Sequence, residues 1–142
     1  MNNREYGDLV SRGEFPADIL VPLDAPFVNA TGVIQNLLLS PITSVAIITS
    51  KAGSVRSNHW HHENWHYLFV ISGSMEYYER SVDTSPEKAN REPIVVKAGE
   101  MVFTRPYYVH RTVFLEDTVL ISLGHGIKDH EHHEADLVRE EF

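Results

Sequence analysis

The run NHWHHENWH, residues 58 to 66, holds four histidines within eight positions: His59, His61, His62 and His66. Imidazole titrates near neutral pH and, when neutral, ligates transition metals. A cluster of this kind beside an apolar run suits either a metal centre or an acid–base site. In an extended chain, side chains two apart point the same way. His59 and His61 therefore aim at one point with Cα atoms roughly 6.5–7 Å apart, and His62 points away. In the following run HYLFVI, His66, Leu68 and Val70 share one face, while Tyr67, Phe69 and Ile71 share the other. Further on, His110, Thr112 and Phe114 share a face. A histidine alternating with apolar residues either enters a barrel or stands at the surface where a strand begins.

These side chains need a frame, and the rest of the sequence reads as strands. VIQNLLL (33–39) and SVAIITS (44–50) are short and rich in branched residues, separated by Ser40-Pro41. WHYLFVIS (65–72) runs through Gly73-Ser74 into MEYYERSV (75–82), which is a hairpin signal. Residues 83–93 form a polar loop, PIVVKAGEMVFT turns at Gly99, and HRTVFLEDTVLISLG is two strands around Glu116-Asp117. The first thirty residues, with Pro16, Pro22 and Pro26, read as an extended, irregular arm packed on the body. Only the tail, about 129–141, offers a helical pattern. Many short strands with regular turn signals predict an all-β barrel or sandwich.

The chain has 142 residues, the size of one domain, and can bury a core without staples. It has no cysteine, which excludes disulfides and thiolate ligands. A net charge of -8 gives no electrostatic footprint for nucleic acid. No apolar run approaches membrane-spanning length, and MNNREYGDLV has no apolar signal region. A soluble, cytoplasmic protein is expected. Its partner is a small molecule, and an anionic one remains open because a few arginines can capture phosphate or carboxylate locally. No nucleophile elbow or phosphate-cradling glycine loop is present.

Two spaced motifs resemble those of the cupin superfamily. The first cupin pattern is G-x5-H-x-H-x3/4-E-x6-G. Here Gly53, His59, His61, His66 and Gly73 occupy its positions in order, with His66 where the family has glutamate. The second pattern is G-x5-P-x-G-x2-H-x3-N. Gly99 and His110 match it, while Arg105, Tyr107 and Phe114 stand in the proline, second-glycine and asparagine positions. The resemblance covers about residues 53 to 114. It implies a single cupin barrel, a double-stranded β-helix or jelly roll, with residues 1–30 as an N-terminal arm, 31–128 as the barrel and 129–142 as a tail.

What the resemblance implies chemically is a divalent transition metal (Zn, Fe, Ni or Mn) in the barrel mouth. Carried over, its ligands are His59, His61, His66 at the glutamate position, and His110. An all-imidazole set is neutral, so the ion would keep its full charge and act as a stronger Lewis acid than one held by carboxylates. His66 has a rival role as general base or substrate contact. Arg56, Arg105 and Tyr107 are candidates to line the mouth, the arginines for bidentate capture of an anion. Glu63 misses the family position and reads as surface or as an acceptor behind an imidazole. Of Tyr77 and Tyr78, at most one lies inside, with packing as its default role. The run SVRSNHWHHENWHYLFVISGSMEYYER is also similar to small cupins of nucleotide-sugar and polysaccharide biosynthesis, the RmlC-like group. That likeness implies an enzyme acting on a sugar or nucleotide-sugar. It also leaves a metal-free isomerase or epimerase with His61 or His66 as base, an iron-dependent dioxygenase, and a non-enzymatic binding or sensing cupin. Barrel edges and the proline-rich arm invite a homodimer. His125, His130, His132 and His133 near the end are irregularly spaced and read as a solvated acidic-histidine tail.

Overall fold

A computed structural model of the chain describes residues 1–126 and 134–142. Its elements in order are α1 (Asn3–Ser11), β1 (Phe27–Asn29), β2 (Gly32–Ile34), β3 (Ser44–Ser50), β4 (Val55–His61), β5 (Trp65–Ser72) and β6 (Ser74–Ser81). They continue with a short 3-10 turn (Pro86–Lys88), β7 (Ile94–Lys97), β8 (Met101–Thr104), β9 (Tyr108–Phe114), β10 (Thr118–His125) and β11 (Leu137–Arg139). Two antiparallel sheets face each other. One has the order β3-β10-β5-β8, the other β11-β4-β9-β6-β7.

The period-two pattern of β5 decides what lies between the sheets. Leu68 and Val70 point inward and pack with Met75, Tyr77, Val96, Phe114 and Leu120 as the barrel core. Trp65 and Tyr67 point outward, yet both are buried. Their cover is the N-terminal segment: Tyr6 and Val10 pack with them and with Met101, Phe103 and Leu123 in a second core. Each such buried side chain contributes about 1.5–3 kcal/mol, so the first eleven residues are part of the fold's stability.

That cover is a helix, where the sequence predicts an irregular arm. Asn2 caps it, its side chain accepting the Glu5 N–H at 2.9 Å. Tyr6 and Val10, four apart, form its buried stripe. Asn3 ties it down by donating to the carbonyls of Pro22 (3.2 Å) and Leu37 (3.1 Å). Beyond α1 the arm is extended as expected: the backbone of residues 19–21 bonds to β8 through Val21 N–H to Met101 O and Phe103 N–H to Ile19 O.

The expected hairpin over 65–82 does not form. β5 pairs with β10 and β8, and β6 pairs with β7 and β9, so Gly73 carries the chain from one sheet to the other. The turns at Gly99 and at Glu116-Asp117 do the same for β7–β8 and β9–β10. A sharp turn reverses the chain in both a hairpin and a sandwich corner, so turn residues do not distinguish the two. At Gly73 the corner is tight: φ is +91°, and a Cβ would contact Thr118 Oγ1 and stand 2.6 Å from Asp117 O. Gly73→Ala should therefore destabilise the protein by about 2–4 kcal/mol, strain and overpacking together. A urea-unfolding midpoint indistinguishable from that of the parent chain would contradict this corner.

Residues 137–139, within the stretch expected to be helical, form β11 on the edge of the five-stranded sheet, pairing Leu137 with His61 and Arg139 with His59. Their neighbours lock them in place. The buried Arg80 donates to Glu140 (2.7 Å) and to the Glu141 carbonyl (3.0 Å), and Phe142 packs on Tyr78. No helix among the described residues is long and apolar enough to cross a membrane.

Candidate active site

The histidines meet through a break in β4. Its pairing with β9 runs Arg56 to Thr112 and Ser57 to Arg111, then skips Asn58 and resumes with His59 opposite His110. Ser57 (φ 78°) and Asn58 (φ 54°) take left-handed backbone in this bulge. The extra residue resets the alternation, so His59 and His61 both enter the barrel beside His110. Donor nitrogens of His59, His61 and His110 lie within 4.8 Å of one another. Ring centroids are 4.9 Å apart for His59–His61 and 4.7 Å for His59–His110, and His61 stacks on His110 at 5.5 Å. His66 stands on the opposite sheet, 5.9 Å from His61 and 6.2 Å from His110 by centroid. It faces the trio from across the barrel.

The ring tautomers follow from the partners. A carbonyl only accepts, so the 3.2 Å contact from His110 Nδ1 to Tyr108 O puts the proton on Nδ1. Its Nε2 then carries a lone pair, buried, with no hydrogen-bond partner among the described residues. Burial holds the His110 pKa well below the usual histidine value, the neighbouring His59, His66 and His61 lower it further, and the Tyr108 carbonyl only partly opposes them. His110 is thus neutral at pH 7. His61 Nδ1 lies 3.1 Å from Asp136 Oδ2, so its Nδ1 also carries a proton, and in the neutral ring its Nε2 has the lone pair. Asp136 is held in turn by the backbone N–H groups of Glu63 (2.9 Å) and Asn64 (3.2 Å). A carboxylate behind an imidazole fixes its tautomer and raises its basicity, whether the other nitrogen takes a proton or a metal.

Behind His110 the wall is polar. Tyr77 is buried, stacks on His110 with centroids 6.2 Å apart, and shares a 2.9 Å hydrogen bond with Thr104. Burial above all, and the Glu79 charge after it, push its hydroxyl pKa far up, so it remains a proton donor. Tyr78 faces out under the Arg111 guanidinium. Glu79 sits cross-strand from His110 and pairs with Arg105.

The other residues singled out in the sequence lie apart from the trio. Arg105 is engaged: it pairs with Glu79, donates to Pro16 O at 3.2 Å, and stacks over Tyr108 at 3.7 Å. It clamps the arm to the barrel. Arg56 donates to Ser50 Oγ (2.8 Å) and Thr49 O (3.0 Å) and lines a pocket of about 710 Å³ that none of the histidines borders. Tyr107 is exposed on the outside, stacked on Trp60 with His62 against its edge. Its φ of 62° keeps the left-handed backbone of the motif's glycine position, strain of about 1–2 kcal/mol for a tyrosine. Glu63 is exposed and contributes only its N–H. His125 stacks on Trp65 at 5.1 Å; His130, His132 and His133 lie outside the described residues. Asp136, Glu79 and Thr104 were not singled out in the sequence. No local pattern marks Asp136, because its partner is 75 residues away.

Two sheets closed over an apolar core, with histidines of three strands facing one another inside, have the fold of a cupin-type jelly-roll barrel. No protein-family model matches the chain, and no curated protein does. Solved structures do. The dTDP-4-dehydrorhamnose 3,5-epimerase from Sulfolobus tokodaii aligns at 16% identity over 79% of this chain and 70% of its own, with a TM-score of 0.62. The sugar 3,4-ketoisomerase QdtA from Thermoanaerobacterium thermosaccharolyticum, in complex with TDP, aligns at 17% identity over 82% and 83%, with a TM-score of 0.64. The capsular polysaccharide assembling protein CapF from Staphylococcus aureus aligns at 24% identity with a TM-score of 0.60; the match covers 91% of this chain but only 37% of CapF.

Proposed function

We propose that the chain is an isomerase or epimerase of a nucleotide-linked keto sugar, with His61 as the base. The observation that carries this is the His61–Asp136 contact at 3.1 Å, which aims an unprotonated Nε2 into the barrel. Beside a ketone, a C–H bond is acidified because its electron pair can move into the carbonyl. His61 would take that proton, Asp136 would stabilise the imidazolium, and the carbonyl oxygen would carry the negative charge of the enolate. Returning the proton to the opposite face of the same carbon inverts it; moving protons between neighbouring carbon and oxygen shifts the ketone. Neither outcome changes the oxidation state of the sugar as a whole. His66, across the barrel, and the Tyr77 hydroxyl are the candidate proton donors. Two of the similar structures, by name, belong to an epimerase and a ketoisomerase of such sugars, which supports the substrate class.

The His59, His61 and His110 donors favour a second reading, a metal-dependent form of the same enzyme. Tetrahedral ligands at about 2.0–2.1 Å stand roughly 3.4 Å from one another, so donors within 4.8 Å need only side-chain adjustment to close on an ion. The orphaned Nε2 of His110 suits such a role. These three residues would hold the ion, and His66 is outside the group. A bound ion would supply Lewis-acid polarisation of the ketone. Both readings are tested with TDP-4-keto-6-deoxyglucose, the compound bound in another QdtA structure. Incubated in deuterated water with a chelator, the protein should wash deuterium into the carbon beside the ketone, and His61→Asn should slow this at least about 100-fold. Exchange that appears only when a divalent ion is restored selects the metal-dependent form. No exchange across a panel of nucleotide-linked keto sugars, with and without metal, removes both.

A further inference from the structure

Asp136 reaches His61 from a segment with little hold of its own. β11 is three residues long, none of its side chains is buried, and it is bonded only to β4. A short edge strand with few buried apolar contacts belongs to the parts of a protein that open most readily. The residues after β11 are held more firmly. Phe142 is buried, with its ring centroid 5.4 Å from that of Tyr78. The guanidinium carbons of Arg111 and Arg91 stand over the same ring at 5.7 and 5.8 Å, within cation–π range. Arg80, itself buried, donates to Glu140 Oε2 and to the Glu141 carbonyl just before it. Asn58 completes the seat. Its carbonyl accepts the Glu140 N–H at 3.0 Å, and its Oδ1 accepts the Phe142 N–H at 3.3 Å. Asn58 is also the bulge residue that sets the phase of His59 and His61. Its left-handed backbone suits asparagine better than most residues. One residue thus registers both the base and the strand that carries its carboxylate.

We propose that Phe142, Arg80 and Asn58 form a clasp that seats Asp136 on His61, and that they are positioning residues for the reaction. The inference rests on the reading of His61 as the base. The clasp lies on the outer face of the five-stranded sheet, where Tyr78 and Arg111 are cross-strand neighbours, so it acts only through β11. While β11 is seated, Asp136 fixes the His61 tautomer and stands ready to stabilise the imidazolium. When β11 lifts, the carboxylate leaves with it, and both contributions are lost together. The rate of proton transfer then follows the fraction of molecules in which the strand is seated. Affinity for the sugar does not, because none of the three clasp side chains enters the barrel beside the histidines.

The test is Phe142→Ala in the full chain, read in two ways. Amide hydrogen exchange should quicken at least about 10-fold at Glu63 and Asn64, whose N–H groups bond Asp136, and at Glu140. Leu68, Val70 and Leu120 of the barrel core should keep their protection. In the keto-sugar assay kcat should fall at least about 10-fold with KM within about twofold of the parent. Phe142→Leu, which refills the seat, should restore most of both. In an Asp136→Asn background Phe142→Ala should slow the reaction no further, whereas a general loss of stability slows both backgrounds alike. Asn58→Gly keeps the left-handed backbone but removes the Phe142 N–H acceptor; it should open the same amides and decides the matter if Phe142→Ala fails to fold. Unchanged exchange at Glu63 and Asn64, an unchanged kcat while those amides open, or a loss of kcat that repeats in full without Asp136 would each overturn the clasp. A parent chain that exchanges no keto sugar removes the catalytic reading instead, and amide exchange then decides whether the clasp seats Asp136.

Discussion

Asp136→Asn will slow proton exchange at the sugar carbon about 10²–10⁴-fold while leaving the barrel folded. With its oxygen in the Oδ1 place, the new amide still accepts the Glu63 N–H, while the Asn64 N–H loses the Oδ2 acceptor it shares with His61. Its nitrogen then faces His61 Nδ1, and a donor there forces the imidazole into the other tautomer. His61 Nε2 would carry hydrogen where the base needs a lone pair. The same flip removes a metal ligand, so metal uptake, where measured, should fall with activity. Exchange kinetics, with urea unfolding alongside, make the check. Loss of exchange with a matching collapse of stability would mean that Asp136 only holds β11 in place. Full activity would remove the dyad altogether.

Arg105→Met will destabilise the protein by about 3 kcal/mol at neutral pH, and the loss will depend on pH. The pair it breaks is largely enclosed, with side-chain exposures of 12% for Arg105 and 16% for Glu79. Burial already raises the Glu79 pKa from its ordinary value of 4.5, and Arg105 opposes that rise. Without the arginine the carboxyl is raised further. An acid with a raised folded-state pKa binds its proton more tightly when folded, so stability falls as pH rises from 4.5 through the raised value. Below 4.5 the carboxyl is neutral in both states, and this part of the loss disappears. Denaturation of both proteins from pH 4 to 8 should show curves that converge at the acid end. A gap independent of pH would mean that the lost contacts to Pro16 and Tyr108, rather than a stranded charge, cause it.

Spacing made much of the site legible. Side chains two apart on a strand share a face whatever the fold, so His59 and His61 were paired and His62 set outside from the sequence alone. The β5 alternation likewise separated Leu68 and Val70 from Tyr67. What no alternation reveals is a phase change. The bulge at Ser57–Asn58 resets the phase of β4, so His59 meets His110 while the exposed Arg56, opposite Thr112, reaches Ser50 and Thr49. Arg56, expected at the mouth because it stands just before the His59–His61 pair, is found beside Ser50. Tyr107 was expected to wall the pocket because it holds the motif's turn position; its left-handed backbone turns it outward onto Trp60.

Pairing was the other hidden layer. Gly73, Gly99 and Glu116-Asp117 mark reversals correctly, but whether a reversal returns to the same sheet depends on strands far off in the chain. Asp136 was hidden for the same reason, since its role depends on β11 joining β4. The α1 helix was a different kind of miss. Asn2, Glu5, Tyr6 and Val10 are a cap, a favourable first-turn acid and an i,i+4 pair, all local. Three prolines downstream masked them.

The β11–β4 pairing has a consequence for when activity appears. During synthesis the barrel core can close once β10 has been made, because every residue of that core precedes position 121. His61 would by then be in place without its carboxylate. The dyad forms only after a further stretch has returned to the edge of β4, a contact 75 residues long in sequence and among the slower kinds to form. Catalytic competence should therefore lag behind compaction in a refolding experiment, and turnover would report completion of the fold where fluorescence or size would not.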